Sequence, residues 1–144
     1  MKKPISIQTI IFNTSNEILL LQRADNKNYW QSVTGSLEKN EAPIDAAIRE
    51  ILEETGINAT EHLFFNFSKN HQYLIFKEWK HRYPKLQRKN VEHLFGLQLE
   101  NNTPIIINPN EHNAYKWVSF DEALANVFSW TNIKALTEFK KIYE

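Results

Sequence analysis

Glu50, Glu53 and Glu54 are the residues whose type and spacing most directly suggest chemistry in this chain. Spaced i, i+3 and i+4 on a helix, their carboxylates share one face. That face is expected to turn away from Ile48 and Leu52, and so from much of the buried stripe. Three like charges so placed repel one another and weaken the helix unless a cation joins them. Mg2+ suits such a cluster, because it takes hard oxygen ligands octahedrally, keeps some waters and bridges carboxylates to substrate phosphates. Arg49, four residues before Glu53, could orient that carboxylate from behind. Glu41 stands where a loop should enter the helix, so it either caps backbone N–H groups or approaches the metal from the side. A solvated acidic helix face is the plain alternative, and a pair of glutamates alone would support nothing more.

The wider segment supports more. It runs Gly35, five residues, Glu41, seven residues, then Arg49-Glu50-Ile51-Leu52-Glu53-Glu54-Thr55-Gly56-Ile57. At average residue usage such a pattern arises by chance on the order of once in a billion start positions. It resembles the Nudix box of the Nudix hydrolases, with every defining position filled. That resemblance implies a loop–helix–loop that binds Mg2+ or Mn2+ and hydrolyses diphosphate bonds next to a nucleoside-like group. On the same footing Glu50 and Glu54 are direct metal ligands, and Glu53 is a ligand or a group that positions water. Arg49 then belongs to the catalytic set as well. The box does not fix the general base. Outside it, Glu111 lies just before the last expected strand, where the family often places a further metal ligand or base; position alone fits a surface carboxylate equally well. Two positions depart from the common pattern: Ser36 replaces a glycine after Gly35, and Asn40 replaces one before Glu41. Asparagine still accepts a left-handed turn, so activity is expected to survive.

Several flanking pieces resemble one branch of that family, the bacterial dihydroneopterin triphosphate diphosphatases of folate synthesis, also described as dATP pyrophosphohydrolases. They are Leu21-Gln22-Arg23, Trp30 to Ser36, His81-Arg82-Tyr83, Glu111-His112 with Ala114 to Trp117, and Ser129-Trp130 with Asn132. The resemblance implies Lys2, Arg23, Thr34 and Ser129 as substrate contacts and the Tyr73–Phe76 stretch as pocket wall. Arg23 offers a fork for phosphate oxygens, and Tyr73 or Phe76 could stack on a flat heterocycle. Each has a plain alternative: a strand end in solvent for Arg23, turn chemistry for Thr34, core packing for the aromatics. The substrate so implied is a small-molecule triphosphate, dihydroneopterin triphosphate, cleaved to its monophosphate and pyrophosphate. A dNTP pyrophosphohydrolase is the second reading. A non-catalytic binding module is the third, although such modules often lose box glutamates that are all present here.

The elements that must position these residues follow from pattern. Ile5–Phe12 and Glu17–Gln22 read as strands around a polar turn, and Trp30–Thr34 as a short run leading to Gly35. Pro43–Thr55 reads as the helix, with Pro43 in its first turn, a buried stripe of Ile44, Ala47, Ile48 and Ile51, and Gly56 as a left-handed cap. Leu63–Phe67, Gln72–Trp79, His93–Leu99, Ile105–Ile107 and Tyr115–Val118 follow as strands. A basic, polar loop, Lys80–Asn90, is a candidate lid. Phe120–Ala125 and Asn132–Tyr143 read as helices, the latter with Thr131 as N-cap. Strands around an early helix, with helices at the end, predict an α/β fold in which a mixed β-sheet is sandwiched between α-helices.

Composition bounds the partners. The length suits a single domain over residues 1–144. Seventeen basic and seventeen acidic side chains cancel, so no bulk field exists to hold nucleic acid or an anionic membrane. Neutral charge also disfavours RNA decapping. With no cysteine, disulfides, thiolate metal sites and thiol nucleophiles are excluded. No apolar segment approaches a membrane span, and a cytoplasmic enzyme is expected. His71, His81, His93 and His112 match no zinc spacing, and surface or hydrogen-bonded roles are expected for them. Trp30, Trp79, Trp117 and Trp130 read as core or pocket wall, with Trp30 the pocket candidate.

Overall fold

The computed structural model describes residues 5–74 and 89–143, with 68–74 and 89–90 described by their backbone. In chain order the elements are β1 (Ile5–Asn13), β2 (Ile18–Arg23), β3 (Trp30–Gln31), β4 (Val33–Ser36), α1 (Pro43–Thr55), a 3-10 turn (Ala59–Glu61), β5 (Leu63–Leu74), β6 (Lys89–Leu99), β7 (His112–Val118), α2 (Phe120–Asn126) and α3 (Trp130–Tyr143). Lys2 and Phe76 lie outside the described residues, as does the Lys80–Asn90 loop except for its last two positions, which open β6.

β1 is the central strand. It pairs in parallel with β6 along its whole length, from Ile5↔Val91 to Asn13↔Leu99. Its other edge is divided between β4, at Ser6 to Thr9, and β2, at Phe12↔Ile18. β2 in turn carries β3 and β7, and β5 lies outside β6, all antiparallel. The sheet is therefore mixed, and it splays between β1 and β2 where the edge changes partner.

Alternation along β1 sorts the two faces, as a pleat requires. Ile10 and Phe12 join Leu20, Leu94, Ala135, Leu136 and Phe139 beneath α2 and α3. Ile11 packs with Leu21, Val33, Ile51 and Leu97, and Ile7 with Leu37, Ala46, Ala47 and Phe95, all on the α1 side. Each fully buried leucine or isoleucine of this kind contributes roughly 1.5–3 kcal/mol. The mixed sheet between helices is as expected.

Several local expectations are corrected. Ile44 is exposed, and the buried face of α1 is Ala46, Ala47, Ile51, Glu54 and Thr55. Two small alanines let the helix approach the sheet closely. Leu63–Phe67 and Gln72–Trp79 are not two strands: β5 runs unbroken to Leu74 with an irregularity between Asn66 and Lys69, and 75–79 lie outside the described residues. Ile105–Ile107 is not a strand. It is extended chain tied to the helix end by the Ile106 N–H donating to the Thr55 carbonyl at 2.8 Å. The N-cap of α3 is Ser129, whose hydroxyl accepts the Asn132 N–H, because the helix starts earlier than Thr131 would allow.

Candidate active site

The loop between β4 and α1 is held in shape by Arg49. Leu37 anchors it, buried, with its N–H donating to the Ile5 carbonyl. Asn40 adopts φ 63°, the left-handed turn expected of it, and Gly56 closes the far end of the helix at φ 74°. The Glu41 carboxylate accepts the Glu38 N–H at 2.9 Å, and Arg49 Nε and Nη2 each donate to it at 2.8 Å. Arg49 also reaches the Ser36 carbonyl at 3.1 Å and Glu50 at 2.6 Å. Its guanidinium is held above its ordinary pKa chiefly by Glu41, despite partial burial. Glu53, the expected partner, is approached only to 3.5 Å. Arg49 thus fixes Glu41 and Glu50, and Glu41 serves the loop backbone.

The three helix glutamates do not share one environment. Glu53 is half exposed, whereas Glu54 is buried to 2 % exposure and belongs to the sheet-facing stripe. Leu52, expected opposite the acids on the buried side, is exposed. Glu50 lies between, pressed against the strand at Gly35. A Cβ at Gly35 would sit 2.3 Å from Glu50 Cδ and 2.5 Å from its Oε1, so glycine makes room for that carboxylate.

Glu54 is the most strained electrostatically. Neither of its oxygens has a hydrogen-bond donor. Burial, then a hydrogen bond shared with the Glu50 carboxyl and the charges of Glu50, Glu111 and Glu53, push its pKa well up. Burial raises Glu50 too, against the pull of Arg49. Without a cation, two facing carboxylates must share a proton.

β7 delivers the remaining groups. Glu111 immediately precedes it and His112 opens it, opposite Arg23 where the β2–β7 register shifts by the extra residue Asn113. The Ala24 N–H donates to the Glu111 carbonyl at 2.9 Å, which ties the two strand ends together. Ligand atoms of Glu54, Glu111 and His112 all lie within 4.8 Å of one another. His112 is buried, so the expected surface role does not hold for it, and its Nδ1 has no hydrogen-bond partner. Burial first, then Arg23, lowers its pKa. Its 3.7 Å approach to Glu54 is therefore a contact of a neutral ring. Carboxylate oxygens without donors, beside an imidazole, fit a divalent cation by their chemistry.

The expected substrate contacts are more scattered. Arg23 lies beside this cluster but forks onto Asp25, at 2.8 and 2.6 Å, in solvent. Thr34 donates to the Ile7 carbonyl and Ser129 caps α3. Tyr73 lies in β5 opposite Asn90. A mainly apolar cleft lined by Phe12, Ile18, Phe120, Phe139 and Tyr143 contains none of these residues.

The NUDIX domain family model matches residues 2–139. The chain belongs to the NUDIX family. It is 36% identical to the dihydroneopterin triphosphate diphosphatase of Escherichia coli K12, over 96% of this chain and 93% of that one. The solved structure of the E. coli dihydroneopterin triphosphate pyrophosphohydrolase superposes with a TM-score of 0.83 at 36% identity, covering 96% of this chain and 95% of that one. A Listeria monocytogenes NUDIX hydrolase described as putative shares the fold, with a TM-score of 0.82 at 22% identity over 97% and 94% of the two chains.

Three residues beside this cluster were given no site role of their own by the sequence. Asp25, the partner of Arg23, was legible as a near neighbour in a loop. Asn132 bonds Ser32 twice, accepting its N–H and donating to its hydroxyl, and so fixes α3 to the approach to Gly35. His112 stood in the Glu111-His112 piece without a role of its own, since only the β2–β7 pairing sets it beside Glu54 of α1.

Proposed function

We propose that this Nudix chain is a divalent-metal-dependent diphosphatase that converts dihydroneopterin triphosphate to dihydroneopterin monophosphate and pyrophosphate. The observation that carries the chemistry is Glu54, a buried carboxylate with no donor, flanked by Glu50, Glu111 and His112. The substrate rests on the E. coli relative, similar over nearly the whole length of both chains.

Glu50, Glu54 and Glu111 would hold the cation, Mg2+ or Mn2+. Bound there, it supplies charge compensation for the phosphate oxygens and for the attacking water. Arg49 keeps Glu50 in place while binding the loop. Glu53, half exposed beside the cluster, would take the proton of the water. The water oxygen bonds to phosphorus as the anhydride P–O bond between the α- and β-phosphates breaks. The leaving group, pyrophosphate or pterin monophosphate according to the phosphorus attacked, departs with that electron pair. Arg23 can exchange Asp25 for phosphate oxygens, since the pair is solvent-exposed and weakly held. The test is product analysis by 31P NMR with Mg2+ and with EDTA. Pyrophosphate formed only with metal is expected; turnover persisting in EDTA would contradict the mechanism.

A further inference from the structure

His112 lies deeper than a chance neighbour of Glu111 would need to. Its backbone N–H donates to the Asn108 carbonyl at 2.8 Å, fixing the residue at the first position of β7. The ring is 3 % exposed, yet Nδ1 finds no partner. Nε2 faces Glu54 Oε1 at 3.7 Å, too far for a hydrogen bond. Two ligand atoms each about 2.1 Å from a common ion stand about 3 Å apart when adjacent and about 4.2 Å when opposed. The observed separation falls between these, and Glu111 completes the group within 4.8 Å.

We propose that His112 is a nitrogen ligand of the cation held by Glu54 and Glu111, and that it biases the site toward Mn2+ over Mg2+. The proposal rests on the metal-dependent reading above and adds a donor outside the Nudix box. Mg2+ prefers an all-oxygen shell, whereas an imidazole nitrogen suits later divalent ions and strengthens Mn2+ relative to Mg2+. The two carboxylates supply charge, and the ring supplies discrimination.

The direct test is electron spin echo envelope modulation on the Mn2+-loaded protein, with stoichiometry followed by continuous-wave EPR. A 14N coupling typical of a directly bound imidazole is expected in the parent and absent in His112→Gln. The same variant is expected to bind Mn2+ at least 10-fold more weakly while Mg2+ binding changes less than threefold. His112→Asn serves where glutamine does not fold, as checked by circular dichroism. Stoichiometric Mn2+ without 14N coupling, or coupling retained in both variants, would overturn the role of His112 and leave the carboxylate site standing. Absence of any Mn2+ binding would instead overturn the metal-dependent reading together with this proposal.

Discussion

Replacing Gly35 by alanine puts a methyl carbon where Glu50 now lies, with Cδ, Oε1 and Cγ at 2.3, 2.5 and 2.6 Å. Carbon atoms rest about 3.5–4.0 Å apart, so the carboxylate must retreat by roughly 1 Å. The backbone has no need to move. Gly35 has no positive φ and pairs with Ile7 in the middle of a strand ladder, a conformation alanine adopts easily. The substitution should therefore spare the fold, with Tm within a few degrees of the parent, while dragging Glu50 from its 2.6 Å bond to Arg49. A misplacement of about 1 Å in a catalytic group costs up to about 100-fold, or about 2.7 kcal/mol in the transition state. The assay is kcat/KM at saturating Mg2+, with melting followed in parallel. A second background isolates the cause: with Glu50→Ala the clash disappears, so adding Gly35→Ala should cost almost nothing further. Activity of Gly35→Ala within twofold of the parent would refute the reasoning, as would an equal loss in the Glu50→Ala background.

Other substitutions probe other supports. Arg49→Lys removes the fork that binds Glu41, Glu50 and the Ser36 carbonyl together; kcat/KM should fall roughly 10- to 100-fold, and a change under twofold would show that the guanidinium is not needed. Asn132→Ala strands the buried Ser32 N–H and hydroxyl, so urea titration should show a loss of about 2–3 kcal/mol rather than the few tenths of an ordinary surface change. Glu92 is held by one bond from Gln8 at 2.6 Å, and burial pushes its pKa from 4.5 up to about 7. The native state keeps that proton longer than the unfolded chain, so this contribution is full below about 4.5 and is lost as pH rises through about 7. Glu92→Gln should accordingly exceed the parent by about 3 kcal/mol at pH 8 and nearly match it at pH 4.5; equal differences at both values would remove the burial argument.

What the sequence made legible was what local chemistry decides. The β-branched and aromatic run of β1, the left-handed turn at Asn40 and the cap at Gly56 depend on neighbours along the chain, and the strand, turn and cap are all seen. Burial was harder. Ile44 and Ile105–Ile107 have apolar types, but only the packing of α1 on the sheet decides that Ile44 faces solvent and that the second segment lies along the helix end. The helical spacing gave Arg49 to Glu53, yet the loop folds back to offer Glu41, whose two oxygens fit the fork better than a 3.5 Å approach. The helical pattern likewise grouped three glutamates as equals. The sheet then separates them, burying Glu54, pinning Glu50 at Gly35 and leaving Glu53 in water. His112 could not be found from spacing, because its place beside Glu54 depends on the strand order that sets β7 against β2.

The central claim is a metal-dependent cleavage of a pterin triphosphate, carried by the buried Glu54. It is tested most directly by measuring kcat/KM side by side on dihydroneopterin triphosphate and on dATP, with Mg2+, for the parent and for Glu54→Gln. The parent should clearly prefer the pterin substrate, and Glu54→Gln should lose several orders of magnitude on both substrates with the fold retained. Near-parental rates in Glu54→Gln would contradict the mechanism, and equal or faster turnover of dATP by the parent would contradict the substrate.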